Sequence, residues 1–113
     1  MGVLGTDQYG AELDFDIGKK YDLMGLGTAC PAVFDESTDM VMVARNVARF
    51  FKNESCGQCT PCREGSGWMW RMLERMAKGE ASKDEVEMLS DVTKQIEGHT
   101  ICAFGEGSSW PVQ

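Results

Sequence analysis

Residues 54–65 read ESCGQCTPCREG, a run in which Cys56, Cys59 and Cys62 recur at equal spacing beside Gly57, Pro61 and Gly65. Three thiols cannot pair among themselves, and the whole chain carries five cysteines, an odd number. The N-terminal stretch MGVLGTDQYG has neither the basic leader nor the apolar segment of a signal peptide. Nothing in the sequence therefore points to an oxidising compartment where disulfides persist, and metal or redox chemistry is the first reading of the thiols.

Zinc domains usually supply their ligands as two separated pairs, whereas this chain offers a C-x2-C-x2-C triplet on one short loop. A cubane iron–sulfur cluster needs three thiolates converging from one side, and a loop containing Gly57 and Pro61 wraps such a corner without steric penalty. The triplet favours iron–sulfur over zinc. Three unrelated buried thiols would be the plain alternative, but equal spacing inside a Gly/Pro-containing loop argues against it. Cys62 is followed by REG, so no fourth cysteine lies nearby. Cys102, in GHTICAFGEG, is the remote candidate, and His99 competes with it as the fourth ligand of a Cys3His zinc site. The softness of thiolate toward iron–sulfur iron favours Cys102. Cys30, beside Pro31, has no partner at ligand spacing and reads as a buried, inert thiol.

Outward from the motif the pattern is helical on both sides. STDMVMVARNVARFF places Met40, Val43, Ala44, Val47, Phe50 and Phe51 at steps of three and four, with Ser37 or Thr38 available as N-cap. After the triplet, Met69, Met72, Leu73 and Met76 share a helical face and Gly79 stands where a C-terminal cap belongs. A third helix opens with Ser82 and Glu85 in capping-box spacing, turns Val86, Leu89, Val92 and Ile96 inward and meets Gly98. The last two helices form an antiparallel pair joined by GEAS, so the chain leaves the triplet and returns near it at Cys102. GEGSSWPVQ reads as a loop and the start of a helix capped by Ser108 or Ser109, with Pro111 in its first turn, so the domain looks truncated at its C-terminus. Residues 1–36, rich in Gly, Asp and aromatics, read as loop with one short strand at 32–34. The expected organisation is 1–36, loop and short strand, then 37–113, a helical cluster-binding domain, mainly α in class.

The bulk numbers agree with a single core. A chain of 113 residues with 42% hydrophobic content buries roughly two-thirds of its unfolded surface. No apolar run approaches the roughly 18 residues of a membrane span, so the chain reads as soluble, without direct membrane insertion. Eighteen acidic against 11 basic residues give a net charge of -7, which repels a phosphate backbone and argues against nucleic acid as a partner.

ESCGQCTPCREG, followed after two helices by QIEGHTICAFGEGSSWPVQ, closely resembles the C-terminal iron–sulfur domain of the NADH- and flavin-binding subunit of respiratory complex I. Glu54, Ser55, Gly57, Pro61, Arg63, Glu64 and Gly65 fall where the motif of that family has them, and TIC introduces the fourth cysteine. The resemblance covers about residues 37–113. MGLGTACPAVFDEST also resembles the family's link from a preceding ubiquitin-like, β-rich domain, while residues 1–12 match nothing in it.

The resemblance implies a helical bundle holding one [4Fe–4S] cluster through Cys56, Cys59, Cys62 and Cys102. It implies a one-electron relay that takes electrons from reduced FMN, itself reduced by NADH, and passes them to further clusters toward quinone. The partners implied are the remaining NADH- and FMN-binding portion of the subunit and the other peripheral-arm subunits. The place implied is the matrix side of the mitochondrial inner membrane, or the cytoplasmic face of a bacterial one. Related domains occur in NAD-linked hydrogenases and formate dehydrogenases, so the motif alone leaves the electron source or sink open. A structural zinc domain, or a cluster that only staples helices, are the readings from other classes.

This chain has no βαβ unit, and GLGT at 25–28 holds a single Gly-x-Gly with no helix pattern after it. The NADH and FMN sites are therefore expected in the rest of the subunit, and no catalytic residue is expected here. Arg63, next to Cys62, is a candidate tuner of the cluster or equally a surface partner of Glu64. Backbone N–H groups of the 57–62 loop are better placed as donors to sulfur. Met69, Met72 and Met76 read as core filler. Trp68 shares a face with Met72, which leaves Trp70 for an interface with another domain or subunit.

Overall fold

The computed structural model describes residues 2–113, which divide into two compact units, one up to Thr38 and the other Asp39–Gln113. In the first unit a 3-10 turn at Thr6–Gln8 precedes a short helix, α1, Ile17–Tyr21. Asp22 ends α1 in the left-handed conformation, φ 53°, which short polar residues tolerate. Among the described residues of this unit, Ile17 is the buried apolar side chain.

The second unit is a bundle of α2, Met40–Glu54, α3, Thr60–Ala77, α4, Lys83–Ile96, and the short α5, Phe104–Ser109. α3 packs against both α2 and α4, and α5 touches all three. The centre is Ala48 of α2, Met69 and Leu73 of α3, and Leu89 and Ile96 of α4, with Trp70, Met72 and Met76 packed around them. Burying a Leu, Ile or Met side chain contributes about 1.5–3 kcal/mol, so these few residues carry much of the bundle's cohesion. Gly65 of α3 lets α4 come close, because a Cβ there would stand 2.7 Å from Ile96 Cδ1.

The helix ends follow local chemistry. Ser82 and Glu85 form the reciprocal capping box at the start of α4. Gly79 and Gly98, after α3 and α4, adopt φ of 71° and 70°, the left-handed region that follows many helices. Pro61 lies in the first turn of α3, where its missing N–H leaves no bond unmade.

The structure corrects several expectations. No strand occurs among the described residues; the segment 32–34 is irregular and Val33 is 87% exposed. A lone apolar triplet without a neighbouring strand has nothing to pair its backbone groups with. The cap of α2 is Asp39, which accepts from the N–H of Val41 at 2.9 Å and Met42 at 3.3 Å. Ser37 and Thr38 instead bond their hydroxyls to Asp35, which holds the Asp35 carboxyl below the usual carboxylate range. Val86 is exposed, on the solvent side of the first turn of α4. α5 begins earlier than expected: Ser108 and Ser109 are buried inside it, their hydroxyls donating to the Gly105 carbonyl at 2.8 and 3.0 Å, and Pro111 follows it. Cys30 is exposed, because its neighbours Ala29, Pro31, Ala32 and Val33 are themselves exposed and form no apolar core to cover a thiol. The two tryptophans differ from the expectation: Trp68 is 51% exposed, while Trp70 packs on the core with Lys52 Nζ 4.0 Å from its ring centroid.

Candidate metal centre

The triplet forms where α2 hands over to α3. Ser55 closes α2 by donating its N–H to the Phe51 carbonyl at 3.0 Å. Its hydroxyl then accepts the N–H of Gly57 at 3.3 Å, a local turn of the kind serine stabilises. Gly57 sits at φ +77°, and a Cβ there would find only ordinary contacts, so glycine is required for conformation and not for space. Cys56 is exposed and Cys59, the N-cap of α3, is half-buried. Cys62, inside the first turn of α3, is buried.

Cys102 arrives from the opposite direction, in the turn between α4 and α5. Glu106 accepts the N–H of Gly98 at 2.9 Å, tying the two ends of that turn together. Thr100 Oγ1 donates to the Cys102 carbonyl at 2.9 Å, and it can lie there because Gly105 is bare: a Cβ on Gly105 would stand 2.2 Å from that oxygen. Phe104, first residue of α5, meets Phe51 of α2 edge to face with ring centroids 5.1 Å apart. The turn is thereby pinned to the helix that leads into the triplet.

Cys56, Cys59, Cys62 and Cys102 all line one cleft of about 170 Å3, with Glu54, Ser55 and Phe104 among its other walls. That is well above the roughly 10–15 Å3 that a single water requires. Among the described residues, no three His, Cys, Asp or Glu side chains gather closely enough to hold one metal ion. Four thiols around a wide cleft fit a group that spreads its bonds over several irons better than a lone tetrahedral zinc. His99 does not line the cleft; it is exposed, and its Nδ1 donates to the Glu97 carbonyl at 2.8 Å.

Hydrogen bonds to sulfur come from two places. The Ser55 hydroxyl lies 3.2 Å from Cys62 Sγ, and the N–H of Ile101 donates to Cys59 Sγ at 3.3 Å. Arg63 is turned to the loop's frame: it donates to the Gly57 carbonyl at 2.9 Å, to Thr60 Oγ1 at 3.4 Å and to Glu64 at 3.0 Å. Its surface pairing with Glu64 is therefore the arrangement present. Ser55 is a motif position in the sequence, but its contact with sulfur is not legible there, and neither are the roles of Thr100 and Gly105.

A family model described as "NADH-ubiquinone oxidoreductase-F iron-sulfur binding region" matches residues 42–113. Among curated proteins, an NADH-quinone oxidoreductase subunit of Rhodobacter capsulatus is 52% identical over 91% of this chain and 24% of the relative. Its namesake in Rhizobium meliloti is 53% identical over 98% and 25%. The mitochondrial 51 kDa subunit of NADH-ubiquinone oxidoreductase from Aspergillus niger is 54% identical over 89% and 20%. The chain thus spans about a quarter of the length of the curated relatives it matches. Among solved structures, an NAD+-reducing [NiFe]-hydrogenase in its air-oxidized state aligns with a TM-score of 0.67 and 38% identity, over 71% of this chain and 14% of that one.

Proposed function

Since the chain belongs to the NADH-ubiquinone oxidoreductase-F iron-sulfur binding region family, we propose that it is the electron-transfer module of an NADH:quinone oxidoreductase. The single observation that carries this reading is the cleft lined by all four of Cys56, Cys59, Cys62 and Cys102. These residues would hold one [4Fe–4S] cluster, which would supply one-electron storage when bound. The chain's own residues orient it and shape its surroundings. The α2–α3 loop presents three thiolates, the α4–α5 turn presents the fourth, and Phe51 with Phe104 keeps the two segments in register.

In this proposal the cluster would carry single electrons from FMN reduced by NADH toward further clusters. The FMN and NADH sites belong to the remaining portion of the subunit, and enzymatic activity requires it. Residues 1–36 would be the connection from a preceding β-rich domain to the helical module. The partners would be the rest of the subunit and the other peripheral-arm subunits. The module would work at the matrix side of the mitochondrial inner membrane or the cytoplasmic face of a bacterial one; no described helix is long and apolar enough to cross a membrane. The quinone-linked assignment is preferred to a hydrogenase one because identity to the bacterial NADH-quinone oxidoreductase relatives, 52–53%, exceeds the 38% shared with the hydrogenase.

Anaerobic purification followed by visible absorption and EPR, before and after dithionite, tests the reading. A broad brown absorption with a paramagnetic signal appearing on reduction is the expected result, and Cys102→Ser should lose the native signal. A colourless chain with stoichiometric zinc, after anaerobic reconstitution has also failed, would replace the relay by a structural zinc domain.

A further inference from the structure

Resting on the iron–sulfur reading of the cleft, we propose that the Ser55 hydroxyl is the hydrogen-bond donor that sets the centre's reduction potential, acting through Cys62. A serine hydroxyl has one proton and two lone pairs. One lone pair of Ser55 Oγ receives the N–H of Gly57 at 3.3 Å, a group that can only donate. The remaining neighbour is Cys62 Sγ at 3.2 Å. A cysteine bound to iron is a thiolate without a proton to give, so the polarity of that contact is fixed: O–H donates and sulfur accepts.

The hydroxyl is held in place by its own backbone. The Ser55 N–H is tied to Phe51 and the oxygen to Gly57, so the donor points at the sulfur before any electron arrives. Donors in series polarise one another, which makes Gly57 N–H, Ser55 O–H and Cys62 Sγ a short chain aimed into the cleft. The position of this sulfur adds weight. Cys62 is the buried one of the four thiols, and a hydrogen bond counts for more where solvent screening is weak. The other donor, Ile101 N–H to Cys59, lies on a segment where Ile101 itself is 75% exposed and water competes. Arg63, the nearest cation in sequence, is occupied by Gly57, Thr60 and Glu64. Adding one electron makes the sulfurs more negative and strengthens O–H···S, so the donor favours the reduced state and raises the potential.

The test is a dithionite titration, followed by EPR, of the anaerobically loaded full chain and of its Ser55→Ala and Ser55→Thr variants. Ser55→Ala should keep its four irons but become harder to reduce, the reduction equilibrium shifting roughly tenfold, about 59 mV downward for one electron. Ser55→Thr keeps a hydroxyl at a backbone position that a β-branched residue accepts, φ −60° and ψ 127°, and should restore the parent potential. An unchanged potential in a fully loaded Ser55→Ala protein overturns the inference and leaves the cluster reading intact. A parent chain that never loads a cluster fails the cluster reading itself. Should Ser55→Ala not load, ENDOR of the reduced parent chain exchanged into D2O decides: a coupled exchangeable deuteron beyond that of the Ile101 amide sustains the inference, and none beyond it overturns it.

Discussion

Cys62 stands in the first turn of α3 with its sulfur buried, whereas Cys102 is exposed in the turn between α4 and α5, with exposed Ile101 and Ala103 on either side. The first segment is built from neighbours in sequence: Ser55, Gly57, Thr60, Arg63 and Glu64 bond among themselves within ten residues. The second has local ties too, but its position facing the triplet depends on α4 lying flush against α3 and on Phe104 meeting Phe51. A motif dense in cysteines can shape itself. A cysteine that stands alone in sequence must be delivered to the cleft by the packing of the whole bundle.

The most forceful way to break that contrast is Gly65→Val. The added side chain has to enter space held by Ile96, and overpacking of this kind costs about 1–3 kcal/mol. Urea unfolding should show that loss, and iron content should fall further than stability alone explains, because α4 carries the Cys102 turn with it. Equal stability and full iron content would mean that α4 is not what delivers Cys102.

Ser82→Ala is the next largest. It removes the side-chain acceptor for the Glu85 N–H at the far end of α4, and loss of such a cap costs about 0.5–2 kcal/mol. The urea midpoint should drop with an unchanged slope, while a loaded cluster keeps its EPR signal, since the cap lies at the end of α4 remote from Cys102.

Acid should also distinguish the two sides. Glu97 accepts from Trp110 Nε1 at 2.6 Å and Gln113 Nε2 at 3.0 Å, and these hydrogen bonds, Gln113 first, hold its carboxyl below the usual range. Glu74 of α3 is held low chiefly by its bond to Arg45 of α2. Both folded values lie beneath the unfolded value of about 4.3. Their contribution is therefore complete above that pH and fades as pH falls through the folded values. Glu97→Gln and Glu74→Gln should each lower the neutral plateau of the stability curve, read as thermal midpoint against pH, and so flatten its acid limb, while the acid end stays nearly unchanged. Glu74 reports the α2–α3 contact and Glu97 the Cys102 side.

The smallest expected effect is Arg63→Ala. Its bonds are exposed, so stability should change by less than about 1 kcal/mol. In the metal-free chain, alkylation of Cys56 should quicken as the loop loses its grip on the Gly57 carbonyl, with Cys102 unaffected and Cys62 still the slowest thiol. A parallel change at Cys102 would show that the two segments are coupled before any cluster binds.

How much was legible in the sequence follows from the same division. Helices α2, α3 and α4 were readable because their apolar residues recur at helical spacing and their ends carry Gly79, Ser82 and Gly98 at positions where the chemistry is local. The strand at 32–34 was misread because an apolar triplet becomes a strand only if another strand pairs with it. Trp70 was misassigned because helical spacing sorts residues onto faces without saying which face the neighbours cover, and α3 is flanked by α2 and α4 both. α5 was displaced because Gly105 and Gly107 lower helix propensity, and packing against Thr100 and Phe51 overrides it.

The sequence by itself determined the C-x2-C-x2-C spacing, the turn at Gly57 and the class of chemistry that three adjacent thiols support, since all of these depend on residues a few positions apart. Only the tertiary structure decided that Cys102 lines the same cleft, that Cys62 is the buried sulfur, and that the Ser55 hydroxyl and not the Arg63 guanidinium reaches it. Those outcomes depend on which surfaces the packed helices cover, and burial is a property of the assembled bundle that no single stretch of chain possesses.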